Sequence, residues 1–170
     1  MKIVPILLNS IVFAGLDKDT MAKMSEKVRL RHVEKGEYIF REQEACTHFM
    51  LVAKGLVKVY ITSSAGARMT YLMARDGEPL NLIAPFDDAP RPTVAKAMGP
   101  SVIAEIPREA FLLAVESSPG IMSNIVAILG RAIDSANSRI IDMMEKKVDA
   151  RLFIALYSLY LKFGTPLHFT

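Results

Sequence analysis

The hydrophobic pattern changes period once along the chain. From about residue 28 to 106, apolar positions alternate with polar ones in short runs punctuated by glycine; from about 107 onward they recur at helical spacing. The clearest alternating run is 56–61, which places Val57, Val59 and Ile61 on one face of a strand. Ser63-Ser64-Ala65-Gly66 predicts a turn in which Gly66 takes a positive φ, and 69–73 returns as the partner strand. Residues 94–97 and 101–106 predict a later pair around Gly99-Pro100. Gly36, Gly55, Gly66 and Gly77 separate the runs, a rhythm that suits an antiparallel roll, jelly roll or barrel. No helical pattern lies between the strands, so βαβ units are not expected.

The second half has helix punctuation. Ser118 is a plausible N-cap and Pro119 a natural first helical residue. Met122, Val126, Leu129, Ile133, Ala136, Ile140 and Met143 then alternate at spacings of four and three, an a/d seam of three heptads. A second stripe, Ile125, Ile128, Ala132, Ile141, Met144 and Val148, runs beside it. A helix with two adjacent apolar faces has either two partners or, in a monomer, one broad core face. One face is expected to cover the roll and the seam to meet the same helix of a second copy, giving a homodimer. A helix over 119–147 would be about 40 Å long at ~1.5 Å per residue, longer than a small roll is wide. Residues 151–163 predict a further helix, with Gly164 as its C-cap and Pro166 blocking continuation. The apolar stretch 1–16 reads as an opening helix. Its single Lys2, and the interruptions at Pro5 and Asn9, do not make a secretory leader.

Composition narrows the classes. The 170 residues are 51% hydrophobic and 23% charged, enough to bury a core. No apolar run reaches the ~18 residues of a membrane span, so no membrane partner is expected. The lone Cys46 excludes an internal disulfide framework and a four-cysteine zinc or iron–sulfur site, and it suits the cytoplasm. The net charge of +3 has no strong focus: Lys146, Lys147 and Arg151 are diluted by Glu145 and Asp149. A β-roll enzyme of the cupin type needs a tight His-x-His with a carboxylate and a third histidine. His32, His48 and His168 are scattered, so no enzyme is expected.

Several segments resemble, in order, those of CRP/FNR-type transcription regulators. These are 10–16 (SIVFAGL), Lys35-Gly36-Glu37-Tyr38-Ile39-Phe40-Arg41-Glu42, Gly55-Leu56-Val57-Lys58-Val59-Tyr60, Asp76-Gly77-Glu78 and Ile106-Pro107-Arg108-Glu109-Ala110-Phe111. The resemblance implies a mainly β fold with α: a double-stranded β-roll (jelly-roll, cyclic-nucleotide-binding-like) flanked by short helices and followed by a long dimerisation helix. It divides the chain into a sensing roll with its N-terminal helix over 1–118, a dimerisation helix over 119–148 and the start of a DNA-binding domain over 149–170. The break at 147–149 is the expected hinge. Recognition elements would begin where the sequence stops. DNA contact is therefore expected only through a helix-turn-helix domain missing from this chain.

The resemblance also implies an effector site. Nucleotide-binding members read Gly-Glu-x-x-Gly-Glu, then Arg-Ser or Arg-Thr. Here Gly77 and Glu78 match, Asn81 replaces the second glycine, Leu82 the ribose-binding glutamate, and Pro92 follows Arg91, with Thr93 one residue late. Losing the acceptor costs ~1–3 kcal/mol, and Pro92 removes a donor from the phosphate cradle. A conventional cyclic nucleotide is thus the weaker effector candidate. An apolar pocket of Met73, Leu80, Leu82 and Ile83 would suit haem or another small molecule, with His32, His48 or Met50 as candidate haem ligands. Asn137 is a candidate effector contact from the long helix. The effector is left unidentified, and an iron–sulfur cluster is rejected on Cys46 alone. The alternative reading is a cyclic-nucleotide-binding regulatory module of a kinase or channel.

Overall fold

The computed structural model describes residues 2–87, 89–145 and 148–164. Two compact units divide the chain at Val126/Ala127, inside the long helix rather than at 118/119. The first unit holds seven strands in two antiparallel sheets: β1 (Arg29–Val33), β2 (Tyr38–Phe40), β3 (His48–Lys54), β4 (Val57–Thr62), β5 (Arg68–Ala74), β6 (Val94–Ala97) and β7 (Ser101–Pro107). One sheet runs β1-β7-β3, the other β2-β6-β4-β5. The expected hairpin of β4 and β5 is present, and Gly66 in its turn has φ +81°. The pairing expected between β6 and β7 is not. β6 bonds to β2 and β4 while β7 bonds to β1 and β3, so Met98-Gly99-Pro100 carries the chain from one sheet to the other.

Alternation decides what each sheet buries. Val57, Val59, Met50, Val52, Leu80 and Ile103 fill the space between the sheets. Phe49 and Leu51, on the other face of β3, are also fully buried. There Phe49 stacks on Phe111 with ring centroids 4.1 Å apart, and Phe13 and Phe86 meet this pair edge-on. This aromatic cluster ties the sheet to helix α3 (Arg108–Ser117) and to the one-turn segment Ile11–Phe13.

The opening stretch is not one helix. It breaks into α1 (Ile3–Leu8) and the Ile11–Phe13 turn, and α2 (Lys18–Ser25) follows it. Gly15, at φ +78°, reverses the chain, and Asp17 starts α2 by accepting from the N–H groups of Asp19 and Thr20. Those hydrogen bonds, Thr20's first, hold the Asp17 carboxyl below the usual aspartate value.

The long helix α4 spans Pro119–Glu145 and is followed by α5 (Val148–Phe163), whose last turn meets Gly164 N–H at Tyr160 O. The first turns of α4 belong to the first unit. Ile121 and Ile125 are buried there, and the Asn124 amide donates to the carbonyls of Val12 and Ala14. The seam face is different: Met122, Val126, Ile133 and Ile140 are 39%, 60%, 60% and 52% exposed. Leu129 is half-buried and Ala136 exposed, while the side chain of Met143 lies outside the described residues. The expected hinge includes Lys147, also outside them.

Candidate functional site

The run that resembles an effector cassette starts at the turn after β5. Gly77 adopts φ +83°, its N–H donates to Val52 O, and the Asp76 carboxylate accepts from Gly55 N–H at 2.8 Å. Glu78 closes the same turn, its Oε2 accepting from Arg75 N–H at 3.0 Å. Beyond it the chain runs alongside β3: Val52 N–H donates to Glu78 O and Leu80 N–H to Met50 O. Gly77 is needed twice over. A Cβ there would lie 2.5 Å from Asn9 O, and the positive φ disfavours any side chain. Gly77→Ala is therefore expected to cost about 2–4 kcal/mol in urea unfolding, from left-handed strain plus the clash. A loss below about 0.5 kcal/mol, the range of neutral surface substitutions, would contradict this packing.

Leu80 and Leu82 are buried and Ile83 is 54% exposed, so the three do not share one environment. Met73 does not line the interior. It pairs with Lys58, while its neighbours Leu72 and Ala74 pack in the core, and alternation turns Met73 to the outer face. Asn137 lies in the second unit, exposed on α4.

Arg91 is the centre of the site. It is only 2% exposed. Its backbone bridges the loop after β2, with Arg91 N–H donating to Glu44 O and Gln43 N–H to Arg91 O. Its guanidinium lies 4.3 Å over the Phe40 ring, and Nη2 donates to His48 O at 3.2 Å and to Cys46 Sγ at 3.3 Å. No carboxylate among the described residues forms an ion pair with it. Burial pushes its pKa below the usual arginine value, opposed by the nearby Cys46 and Glu44. Arginine nonetheless keeps its charge in proteins, so the site holds a buried cation with no carboxylate of the described residues paired to it. A desolvated cation–π contact returns about 2 kcal/mol, well short of the several kcal/mol that burying an ion costs. Burial also raises the Cys46 thiol above its ordinary value, against the pull of Arg91 and Arg108. The thiol is thus a neutral partner of the guanidinium. Two residues on, Thr93 Oγ1 is buried without a hydrogen-bond partner.

The candidate haem ligands do not converge. His32 is exposed on β1 opposite Val102, and His48 is on β3 opposite Pro107, with β7 between those strands. Five residues along β7 is about 17 Å. The His48 Nδ1 is 2.9 Å from Thr47 Oγ1, and Met50 is packed inside the roll. No cluster of three or more histidine, cysteine or carboxylate groups suited to a metal occurs among the described residues. An apolar hollow of about 450 Å³ lies elsewhere, between α1 and α2, lined by Val4, Leu8, Leu16, Met21, Ala22 and Lys18.

A family model described as the cyclic nucleotide-binding domain matches residues 30–118, just over half of the chain. The chain belongs to the cyclic nucleotide-binding domain family. Solved structures with the same fold include the catabolite activator protein of Thermus thermophilus (24% identity, TM-score 0.69, 79% of this chain and 63% of that one). The sensor domain of the transcriptional regulator DNR of Pseudomonas aeruginosa is similar at 20% identity and TM-score 0.66, over 84% and 93% of the two chains. The c-di-GMP responsive global regulator CLP of Xanthomonas campestris is similar at 16% identity and TM-score 0.76, over 89% and 76%. Among curated proteins, neuropathy target esterase sws of Drosophila willistoni is 24% identical over 131 residues, 72% of this chain. The chain spans 9% of the length of that relative. As a cyclic nucleotide-binding domain the chain has the fold and the Gly77-Glu78 turn, while Arg91, expected near the phosphate position, is bonded to Cys46 and His48 and lies over Phe40. That use of Arg91 was not legible in the sequence. Only the sheets bring Phe40, 51 residues earlier, beneath it. No single described helix is long and apolar enough to cross a membrane.

Proposed function

We propose that the chain is the effector-sensing and dimerisation part of a CRP/FNR-type transcription regulator whose effector is not a conventional cyclic nucleotide. It is a cytoplasmic homodimer without enzymatic activity of its own. The reading rests on Arg91: its guanidinium is enclosed by Phe40, Cys46 and His48 instead of standing open to a cyclic phosphate. Leu82, buried where nucleotide binders carry the ribose-accepting glutamate, and Pro92, with no N–H, point the same way. The fold supports the regulator reading, since it is shared with a catabolite activator and with the DNR sensor domain, and the exposed seam of α4 supports dimerisation. An effector seated at the roll would act by population shift, biasing the pitch of two paired α4 helices. The separation of His32 and His48 argues against haem held by that pair, and leaves haem on a single ligand, as in a nitric oxide sensor, or another small molecule as the effector class.

Calorimetric titration tests the effector part. Neither cyclic AMP nor cyclic GMP is expected to bind with a Kd tighter than about 1 mM, equivalent to about −4.1 kcal/mol. Micromolar binding of either would overturn the reading and favour a conventional nucleotide module.

A second reading has its own support. The curated match places this fold in a much longer esterase, at 24% identity. A regulatory module joined to an enzyme would not need the α4 seam, so the assembly state separates the two.

A further inference from the structure

The outer face of the β2-β6-β4-β5 sheet carries a cluster that neither the fold nor the effector site requires. Tyr38 and Tyr60 lie on this face, close enough that each shifts the other's phenol pKa. The Arg41 guanidinium sits 3.7 Å over the Tyr38 ring and the Lys96 ammonium 5.0 Å from it. Lys58 and Arg68 flank the Tyr60 ring at 5.6 and 5.4 Å. The register puts Tyr38, Lys96 and Lys58 in one row across three strands, with Arg68 on β5 at the edge. None of the four strands contains an aspartate or glutamate. Of the acids nearest in sequence, Glu37 accepts from Glu34 N–H, Asp76 from Gly55 N–H and Glu78 from Arg75 N–H, while Glu42, next to Arg41, is exposed beyond the end of β2. The other sheet shows the contrast, where Arg31 is paired with Glu105 at 3.3 Å.

We propose that this face is a docking surface for an acidic segment of a partner polypeptide. Four cations set against two tyrosines, with no acid on the strands, attract negative charge and steer its approach. The chemistry favours carboxylates over the alternatives. Single-stranded nucleic acid is held by bases stacking on open aromatic faces, whereas here cations already sit over both rings. A lipid surface is held by charge together with inserted apolar groups. Among the described residues the one large apolar side chain in this row is Met73, beside Lys58 and only half-exposed, while Met69, on β5, pairs with Ile61 on the opposite face. The size suits a short segment. Three strand spacings of ~4.8 Å make about 14 Å, the length of four to five extended residues.

The test is fluorescence anisotropy of a labelled octaglutamate peptide on the purified chain, at low and at physiological ionic strength. Saturable, salt-sensitive binding is expected, weakened about tenfold by Lys58→Glu/Lys96→Glu. Lys18→Glu/Lys23→Glu, on α2, changes the net charge equally and is expected to bind like the parent. Lys58→Gln/Lys96→Gln repeats the measurement with a milder change if the reversed variant fails to fold. Equal weakening by both reversed pairs, or no binding by the parent, would overturn the proposal. So would a face-dependent preference for oligothymidine or for phosphatidylserine vesicles over the peptide.

Discussion

Phe111→Ala is expected to remove about 3–5 kcal/mol of stability and to lower the melting temperature by roughly 10 °C. Phe111 is fully buried and touches three other rings: stacked on Phe49 at 4.1 Å, and edge-on to Phe13 at 6.3 Å and Phe86 at 5.8 Å. Truncation removes the transfer energy of the ring, opens a cavity and deletes aromatic pairs worth about 0.5–1.5 kcal/mol each. The cavity has little means of closing, because its walls belong to three elements fixed elsewhere: β3 by the β7 ladder, Phe86 beside the Arg108–Pro85 hydrogen bond, and Phe13 beneath the Asn124 bonds. Leu113→Ala, on the same helix but 62% exposed, is the control and should stay within about 0.5 kcal/mol. Equal losses at the two positions, read by urea unfolding, would mean that the aromatic cluster does not hold α3 to the roll.

That cluster shows where a sequence is legible and where it is not. Alternation in β4 gave its inner face directly, and Val57 and Val59 are indeed fully buried. The same rule applied to β5 puts Leu72 and Ala74 inward and Met73 outward, so Met73 had no claim to the pocket. Pairing was harder. Gly99-Pro100 between two apolar runs looks like a hairpin, but a turn says only that the chain reverses, not which sheet it enters. The N-terminal break carried local signals in Gly15 and Asp17, outweighed by the apolar run around them. Arg91 had no local signal at all. Beside Asp87 and Asp88 it reads equally as a surface residue or as an anion site, and only contacts 43 to 51 residues distant in sequence make it a buried cation. Hydrophobic faces follow from short-range periodicity; the environment of a single polar side chain follows from the finished topology.

The seam on α4 carries the other large effect. We expect the chain to sediment as a dimer at micromolar concentration, and Val126→Asp/Ile133→Asp to sediment at the monomer mass of 18.8 kDa. Val126 and Ile133 are seven residues apart on one face and each 60% exposed, which is unusual for branched apolar side chains repeated at heptad spacing. Only the start of α4 meets the roll, through Ile121 and Ile125; the second stripe beyond it does not cover the roll as expected, since Ala132 is exposed and Ile141 is 51% exposed, so the seam is not needed to hold the roll. Burying such a side chain returns about 1.5–3 kcal/mol, and a two-fold axis counts every substitution twice. Each aspartate would also face its own symmetry copy or a neighbouring apolar knob. Together these terms weaken association by more than about 100-fold. Arg131→Glu, exposed on the same helix but off the seam, should leave the dimer intact. A parent chain that sediments as a monomer would remove the dimeric regulator reading and leave the enzyme-linked module as the better account. A parent dimer that survives both aspartates would place the interface on another surface.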